Sequence, residues 1–445
     1  MKMIIKSGKP LRGTVQIPGD KSISHRAILF SALAEGRSQI NNLLIAGVTE
    51  NMLDALPGLG VQWTLKGTQL TVRSPGLDGW KPPLEPLDCG HSATTLRLLA
   101  GACAAAGIPV LLDGSESLRT RPMARIVDPL WEMGVPIQAL GEGGTAPLQL
   151  GSILTDQTFQ ALNYRAPVAS AQVKSCLLLA GLRAQGALTY TEPSPSRDHT
   201  ERMLSQQGVD IQREELPDGQ IRVTMEPLGE HHLLPLDLTI PGDLSSASFL
   251  ITAALITPGS DLTLPSVGLN PTRTGMLDAL REMGARIEIR NRKQIHGEPI
   301  GDLQVQHSRL KGILLENPQV VRMIDELPIF AVAAACAEGK TAVRDAGELR
   351  LKESDRIAAL CRELNVLGVN IEEHRDGFTI QGGGPLQGGR VRPGKDHRMA
   401  MALAVAGMNA ANPVIVEGAE IISESFPSFS RELTKLGGLI IKEEK

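Results

Sequence analysis

The phrase IPGD occurs twice, at Ile17 and at Ile240, 223 residues apart in a chain of 445. A second pair, MLDALPGLG from Met52 and MLDALREMG from Met276, repeats at almost the same offset, 224. Two matches at one offset predict two tandem, structurally similar halves. A finer period runs inside them. Six segments end in a helix-like apolar pattern, a glycine and a short strand-like run; the glycines are Gly60, Gly134, Gly208, Gly284, Gly368 and Gly437. Each is predicted to close a helix in the left-handed region, with the next strand after it. Each unit also opens on a helix rich in Ala and Leu, such as SATTLRLLAGACAAAG, apolar nearly all round and so buried. Units of this length cannot bury their faces alone. The reading is α/β: two domains, each of three units around buried helices.

Composition narrows the function. Hydrophobic residues are 42 % of the chain but aromatics only 3 %, so Leu, Ile, Val, Ala and Met must build the cores. A net charge of −4 excludes a general nucleic-acid binder and leaves room for a local basic pocket. The five cysteines are odd in number and scattered, which fits reduced buried thiols rather than disulfides or a metal site. No run of about eighteen apolar residues predicts a membrane span, and MKMIIKSGKPLRG does not read as a signal peptide, so a cytoplasmic protein is expected. HExxH, CxxC, GxSxG and GxGxxG are all missing, so no metal, nucleophile elbow or dinucleotide cofactor is indicated.

The chemistry clusters at helix starts. In GDKSISHRA a turn precedes Ser22, a capping residue, with Lys21 and Arg26 beside it. Free N–H groups, the helix dipole and two cations favour an anion there. DCGHSATTLR, SLRTRPMAR, APVASAQVKS and PSPSRDHTER repeat the theme with His91, Ser92, Thr94, Thr95, Arg97, Arg119, Arg121, Ser170, Gln172, Ser194, Ser196 and Arg197. The second half supplies acids among cations: Asp325, Glu326, Lys352, Glu353, Asp355, Arg356, Asp396, His397 and Arg398. Arginine forks grip phosphate and carboxylate. A carboxylate held among them can act as a base. The second IPGD, with Leu244 where the first has Lys21, is expected to keep only the turn and the helix start.

Taken in order, GDKSISHRA, RTRPM, PVASAQVKS, SRDHTERML, IPGDLSSASF, IDELP, LRLKESDRI, DHRMAMA and SFPSF span nearly the whole chain. With these motifs the sequence resembles the 5-enolpyruvylshikimate-3-phosphate synthases, in the enolpyruvyl transferase family. The resemblance implies a two-domain fold, each domain three βαβαββ units around buried helices, an inside-out α/β barrel. It implies a discontinuous domain of residues 1–19 plus 241–445, a second of 20–240, and an active site in the cleft between them. The implied reaction joins phosphoenolpyruvate and shikimate 3-phosphate and releases phosphate, in the shikimate route to aromatic amino acids. No cofactor is implied. The expected partners are these two small molecules, without nucleic acid or membrane, and the expected state is a monomer. Carried over by motif, Lys21, Ser22 and Arg26 meet shikimate 3-phosphate, with Lys21 also reaching phosphoenolpyruvate. Ser170, Ala171, Gln172, Ser194 and Arg197 line the shikimate phosphate side. Asp325 and Lys352 hold ring hydroxyls. Arg121, Gln172, Arg356 and Arg398 clamp phosphoenolpyruvate. Asp325 is the implied base, Glu353 the implied acid, and Lys21 a rival for the proton traffic.

Four positions depart from the family pattern. His91 replaces an asparagine expected beside phosphoenolpyruvate. Ala93 replaces a glycine; its methyl group is expected to crowd the herbicide glyphosate more than phosphoenolpyruvate. Val48 stands where many members have aspartate, and Glu424 where some have lysine. The sister UDP-N-acetylglucosamine enolpyruvyl transferases carry a loop cysteine near SLRTRPM, whereas no cysteine lies between Cys103 and Cys176 here. A non-catalytic binder of phosphorylated metabolites is the rival of another class, opposed by the presence of both Asp325 and Glu353.

Overall fold

All six glycines read as helix ends have positive φ, from 80° at Gly368 to 118° at Gly437. Only glycine adopts that region without steric cost, so these residues stop each helix and turn the chain into the next strand. The computed structural model describes residues 1–152 and 159–443. Among them the strands form six four-stranded sheets built on one plan.

The unit beginning at Leu87 shows the plan. Strand Leu87–Asp88 leads into the buried helix Ala93–Ala106 and a parallel strand, Val110–Asp113. A second helix, Ala124–Glu132, leads to the hairpin Ile137–Gly141 and Thr145–Leu150. The return strand pairs antiparallel with Val110–Asp113, so the order of strands is first, second, fourth, third. This is βαβαββ. Three units borrow a strand from far along the chain. Glu35–Asn41 takes Asp237–Thr239 as its parallel neighbour, Asp261–Gly268 takes Arg12–Thr14, and Lys2–Lys6 inserts between Val414–Glu417 and Leu439–Glu443.

The chain divides into two compact units. One comprises Met1–Asp20, Pro241–Gln294 and Pro299–Lys445; the other comprises Lys21–Ile240 and Ile295–Glu298. Each has its own apolar core. Three buried helices run through the second unit: Lys21–Leu33, Ala93–Ala106 and Ala171–Gly181. Leu244–Ile256, Leu327–Cys336 and His397–Ala406 are their counterparts in the first. With so few aromatics, these helices approach closely on small residues. A Cβ on Gly101 would lie 2.2 Å from the Cys176 carbonyl oxygen of the facing helix. Gly101→Ala adds about 1 kcal/mol of helix propensity. Forcing two backbones apart costs more, about 1–3 kcal/mol or above. A lower melting temperature is therefore expected, readable by circular dichroism.

The two IPGD phrases lie side by side. Gly19 bridges Gly242 antiparallel, the Asp20 N–H donates to the Pro241 carbonyl (2.8 Å) and the Asp243 N–H to that of Pro18 (2.9 Å). Arg273, buried, reaches both aspartates: Nη1 to Asp20 at 2.9 Å and Nη2 to Asp243 at 3.2 Å. Asp243 also accepts from the Ser245 N–H at the start of helix Leu244–Ile256. Burial and the neighbouring Asp20 carboxylate push Asp243 above the usual carboxylate range, against the pull of Arg273. The expectation that the second phrase keeps only a turn and a helix start is thus corrected. Its aspartate belongs to a buried ion cluster in which Arg273 serves Asp20 and Asp243 and lies 3.9 Å from Glu326.

Candidate active site

In the unit of residues 21–240 the helix starts are stitched together by polar side chains. Lys21 and Ser22 open helix Lys21–Leu33. Arg26 is buried (3 % exposed); it donates to the Thr200 hydroxyl (2.7 Å), the Ser175 hydroxyl (2.7 Å) and the Ser22 carbonyl (3.0 Å). Its visible partners are therefore parts of the fold, including the backbone beside Lys21. Ser22 Oγ receives a bond from Arg197 at 3.1 Å. Ser170 caps helix Ala171–Gly181 by accepting from the Val173 N–H, and Ala171 and Gln172 form its first turn, half-exposed. Ser194 is half-buried on the loop before Arg197.

Gln172 is held at both ends. Its amide oxygen accepts from Arg97, and its amide nitrogen donates to Thr94 at 2.8 Å. Arg97 continues to the Pro122 carbonyl at 2.8 Å, next to Arg121. Arg121 is half-buried, and its guanidinium meets no hydrogen-bond or ion-pair partner among the described residues. An arginine so placed can accept an anion without breaking an existing pair. Ala93 is buried as the first residue of helix Ala93–Ala106, behind the cap Ser92. His91 is exposed, and its Nδ1 lies 2.6 Å from the Ser115 hydroxyl and 3.1 Å from that of Ser117.

In the other unit three cations gather on one carboxylate. Asp325 Oδ1 lies 3.3 Å from Arg356 and 3.8 Å from Lys352, and Oδ2 lies 3.7 Å from Arg398. Arg398 also donates to the Asp325 carbonyl at 3.3 Å. Arg356 is the hub: Nη2 reaches Glu353 at 2.6 Å and Nε reaches Asp396 at 2.7 Å. The exposures grade outward, from Arg356 at 1 % through Asp325 at 14 % to Glu353 at 34 %. A buried frame of Arg356 and Asp396 thus presents two more accessible acids. Asp355 caps helix Arg356–Val366, and Asp396 caps His397–Ala406, so both arginines stand at helix starts.

The model of the EPSP synthase (3-phosphoshikimate 1-carboxyvinyltransferase) family matches residues 5–433. The chain belongs to the EPSP synthase family. It is 46 % identical over 430 residues to the 3-phosphoshikimate 1-carboxyvinyltransferase of Syntrophomonas wolfei, covering 96 % of this chain and 98 % of that one. It is 45 % identical over 439 residues to the protein of that name from a Synechococcus species, covering 97 % and 98 %. Among solved structures, EPSP synthase from Acinetobacter baumannii aligns with a TM-score of 0.87 at 38 % identity, covering 99 % of this chain and all of the other. The enolpyruvyl transferase NikO from Streptomyces tendae aligns with a TM-score of 0.80 at 19 % identity, covering 99 % and 98 %, a likeness of fold. The fold is that of the enolpyruvyl transferases, as the motifs implied.

Within this family frame Arg97 and Thr94, already read in DCGHSATTLR as part of a helix start, orient Gln172. Other residues of the site had not been singled out from the sequence. Ser175 and Thr200 hold Arg26; both lie inside the quoted motifs, but nothing in their spacing shows that they face inward. His25 is the most telling. Its Nδ1 lies 2.9 Å from the Lys21 carbonyl, its Nε2 2.9 Å from the Val48 carbonyl and 3.4 Å from the Ser92 hydroxyl. It ties the lysine turn to the Ala93 helix start. Because Val48 contributes its backbone oxygen, the side chain there can differ from aspartate without loss of this bond. Glu424 ends the short helical segment Ala419–Glu424, half-buried.

Burial, with the nearby Lys21 and Arg26 charges, depresses His25 from 6.5 to about 4. A depressed folded pKa favours the neutral ring in the folded state. Stability from this source is complete above pH 6.5 and is lost as pH falls toward 4, on the order of 3 kcal/mol in all. His25→Asn is expected to flatten that part of the pH–melting profile, measured by thermal unfolding between pH 4 and 7.

Proposed function

We propose that the two constellations serve one active site, in which each grips part of a doubly anionic substrate pair. The chain is a 3-phosphoshikimate 1-carboxyvinyltransferase: it transfers the enolpyruvyl group of phosphoenolpyruvate to the 5-hydroxyl of shikimate 3-phosphate. The observation that carries the reading of the site is Asp325 set among Lys352, Arg356 and Arg398, with Glu353 on the same arginine. On this reading Ser170, Ser194 and Arg197 receive the shikimate phosphate, and Lys21 and Ser22 meet the same substrate. Arg121, Gln172, Arg356 and Arg398 hold phosphoenolpyruvate. Arg26, carried over as a contact of shikimate 3-phosphate, also holds the Ser22 carbonyl and so the turn before it.

Asp325 takes the proton of the 5-hydroxyl as its oxygen adds to C2 of phosphoenolpyruvate. Glu353, or Lys21, gives a proton to C3. The tetrahedral adduct then loses a C3 proton and inorganic phosphate, restoring the double bond. Atoms balance without a redox partner or cofactor. Orientation of two anions and fixed cations around the developing charge supply the rate. We place the protein in the cytoplasm as a monomer; no helix among the described residues is long and apolar enough to cross a membrane.

Phosphate release on mixing both substrates, with none from either alone, is the test. Tight binding without turnover would favour the non-catalytic reading. Ala93 carries a further expectation. Its methyl group stands at the first turn of a buried helix. Ala93→Gly should make the enzyme about tenfold or more sensitive to glyphosate while KM for phosphoenolpyruvate changes less. Wild-type inhibition at low micromolar glyphosate, with phosphoenolpyruvate near its KM, would refute the crowding argument.

A further inference from the structure

One fully buried lysine takes no part in the mechanism above. Lys174 is 0 % exposed on helix Ala171–Gly181, one turn after the cap Ser170, whose carbonyl accepts from the Lys174 N–H at 3.0 Å. Its ammonium lies 2.9 Å from Glu192, 2.7 Å from Glu201 and 3.5 Å from the Ser196 carbonyl. The same Glu192 oxygen accepts from the Ser196 N–H at 3.0 Å. Ser196 is therefore held at its N–H by Glu192 and at its carbonyl by Lys174. Its buried hydroxyl adds no anchor, having no hydrogen-bond partner among the described residues. The next residue is Arg197, which reaches Ser22.

Burial works against the charge of Lys174, yet the two carboxylates hold its pKa above the ordinary value. Burial pushes Glu201 upward, against Lys174. Such a cluster is a poor source of stability, because desolvation offsets the attraction; apolar residues of similar volume often serve as well. What it does supply is direction. A donor and an acceptor fix the two peptide planes on either side of Ser196, which apolar packing cannot do.

We propose that Lys174, Glu192 and Glu201 form a positioning triad that sets affinity for the phosphorylated substrate by aiming the Ser194–Arg197 loop. The proposal rests on the reading of Ser170, Ser194 and Arg197 as the phosphate side. It makes the triad a specificity device for the phosphate, since the ring and the enolpyruvyl donor are held by other residues.

The test is steady-state kinetics on full-length variants, with binding of unphosphorylated shikimate as a control. Lys174→Met is expected to raise KM for shikimate 3-phosphate about tenfold or more, the scale of one charge-assisted hydrogen bond. KM for phosphoenolpyruvate, kcat at saturation and shikimate affinity should change little. Glu192→Gln keeps an acceptor for the Ser196 N–H and should stay closer to wild type than Glu192→Met. If Lys174→Met does not fold, the all-apolar K174M/E192M/E201M removes the stranded charges and should show the same KM effect. An unchanged KM for shikimate 3-phosphate in a folded variant overturns the triad, as does an equal loss of shikimate affinity. Arg197→Ala separates the two readings. If it raises that KM and the triad variants do not, only the triad fails; if it does not, the phosphate-side assignment fails and the triad with it.

Discussion

Asp325→Asn is expected to lower kcat by about 10²–10⁴-fold, the usual share of a general base, with little change in either KM. The substitution keeps the size of the side chain and one oxygen acceptor while removing the carboxylate. Three cations point at this group, at 3.3, 3.7 and 3.8 Å. Arg356 retains Glu353 and Asp396, Arg398 keeps Glu326 at 4.0 Å, and the backbone bond from Arg398 to the Asp325 carbonyl survives. Fold and binding should therefore persist, and the loss should fall on the chemical step. Phosphate release under single turnover is the measurement. More than a tenth of wild-type kcat in Asp325→Asn would remove the base assignment and turn attention to Glu353 and Lys21.

Asp396→Ala is expected to strike stability first. Asp396 is fully buried and faces Arg356, itself 1 % exposed, through Nε at 2.7 Å. It also caps helix His397–Ala406, accepting from the Arg398 N–H at 3.0 Å and the Met399 N–H at 3.4 Å. Removing one partner of a buried pair costs about 3–5 kcal/mol where the other charge is stranded; Arg356 keeps Glu353 and Asp325, so the lower end of that range is expected. Loss of the cap adds about 1 kcal/mol. For a unit of this size that sum lowers the melting temperature on the order of 10 °C. Asp396→Asn should keep the cap and lose the pair. Burial works to raise the Asp396 pKa, but the Arg356 guanidinium holds it below the usual carboxylate range. Its contribution is therefore present above about pH 4 and is lost as pH falls through the depressed folded value. The Asn variant should lack that acid dependence. A melting temperature within about 2 °C of wild type for Asp396→Ala would refute the pair as a structural keystone.

Both variants bear on how the site was legible. Asp325, Glu353, Arg356 and Arg398 could be named because acids and arginines recur at helix starts, and the resemblance gave each a role. Asp396 was visible only as part of DHRMAM. That it would be buried against an arginine forty residues earlier depends on which helices pack, and spacing does not encode that. Arg26 was named as a cation one turn after Lys21. That its guanidinium would also bond Ser175 and Thr200, far along the chain, could not be read from spacing.

The sequence by itself determined the plan. Glycine is the residue that tolerates a left-handed helix end without strain, so the six helix stops were written in the chain as six glycines. An all-apolar helix must be buried wherever it goes, so the six core helices were legible too. The repeated IPGD declared the duplication. What only the tertiary structure decided was pairing between distant polar groups. Arg273 meets both IPGD aspartates, Lys174 takes two glutamates and holds one peptide, and Gln172 is fixed by Arg97 and Thr94. Local rules act over one turn or one strand pair. These bonds span tens to hundreds of residues and exist only once the helices have packed.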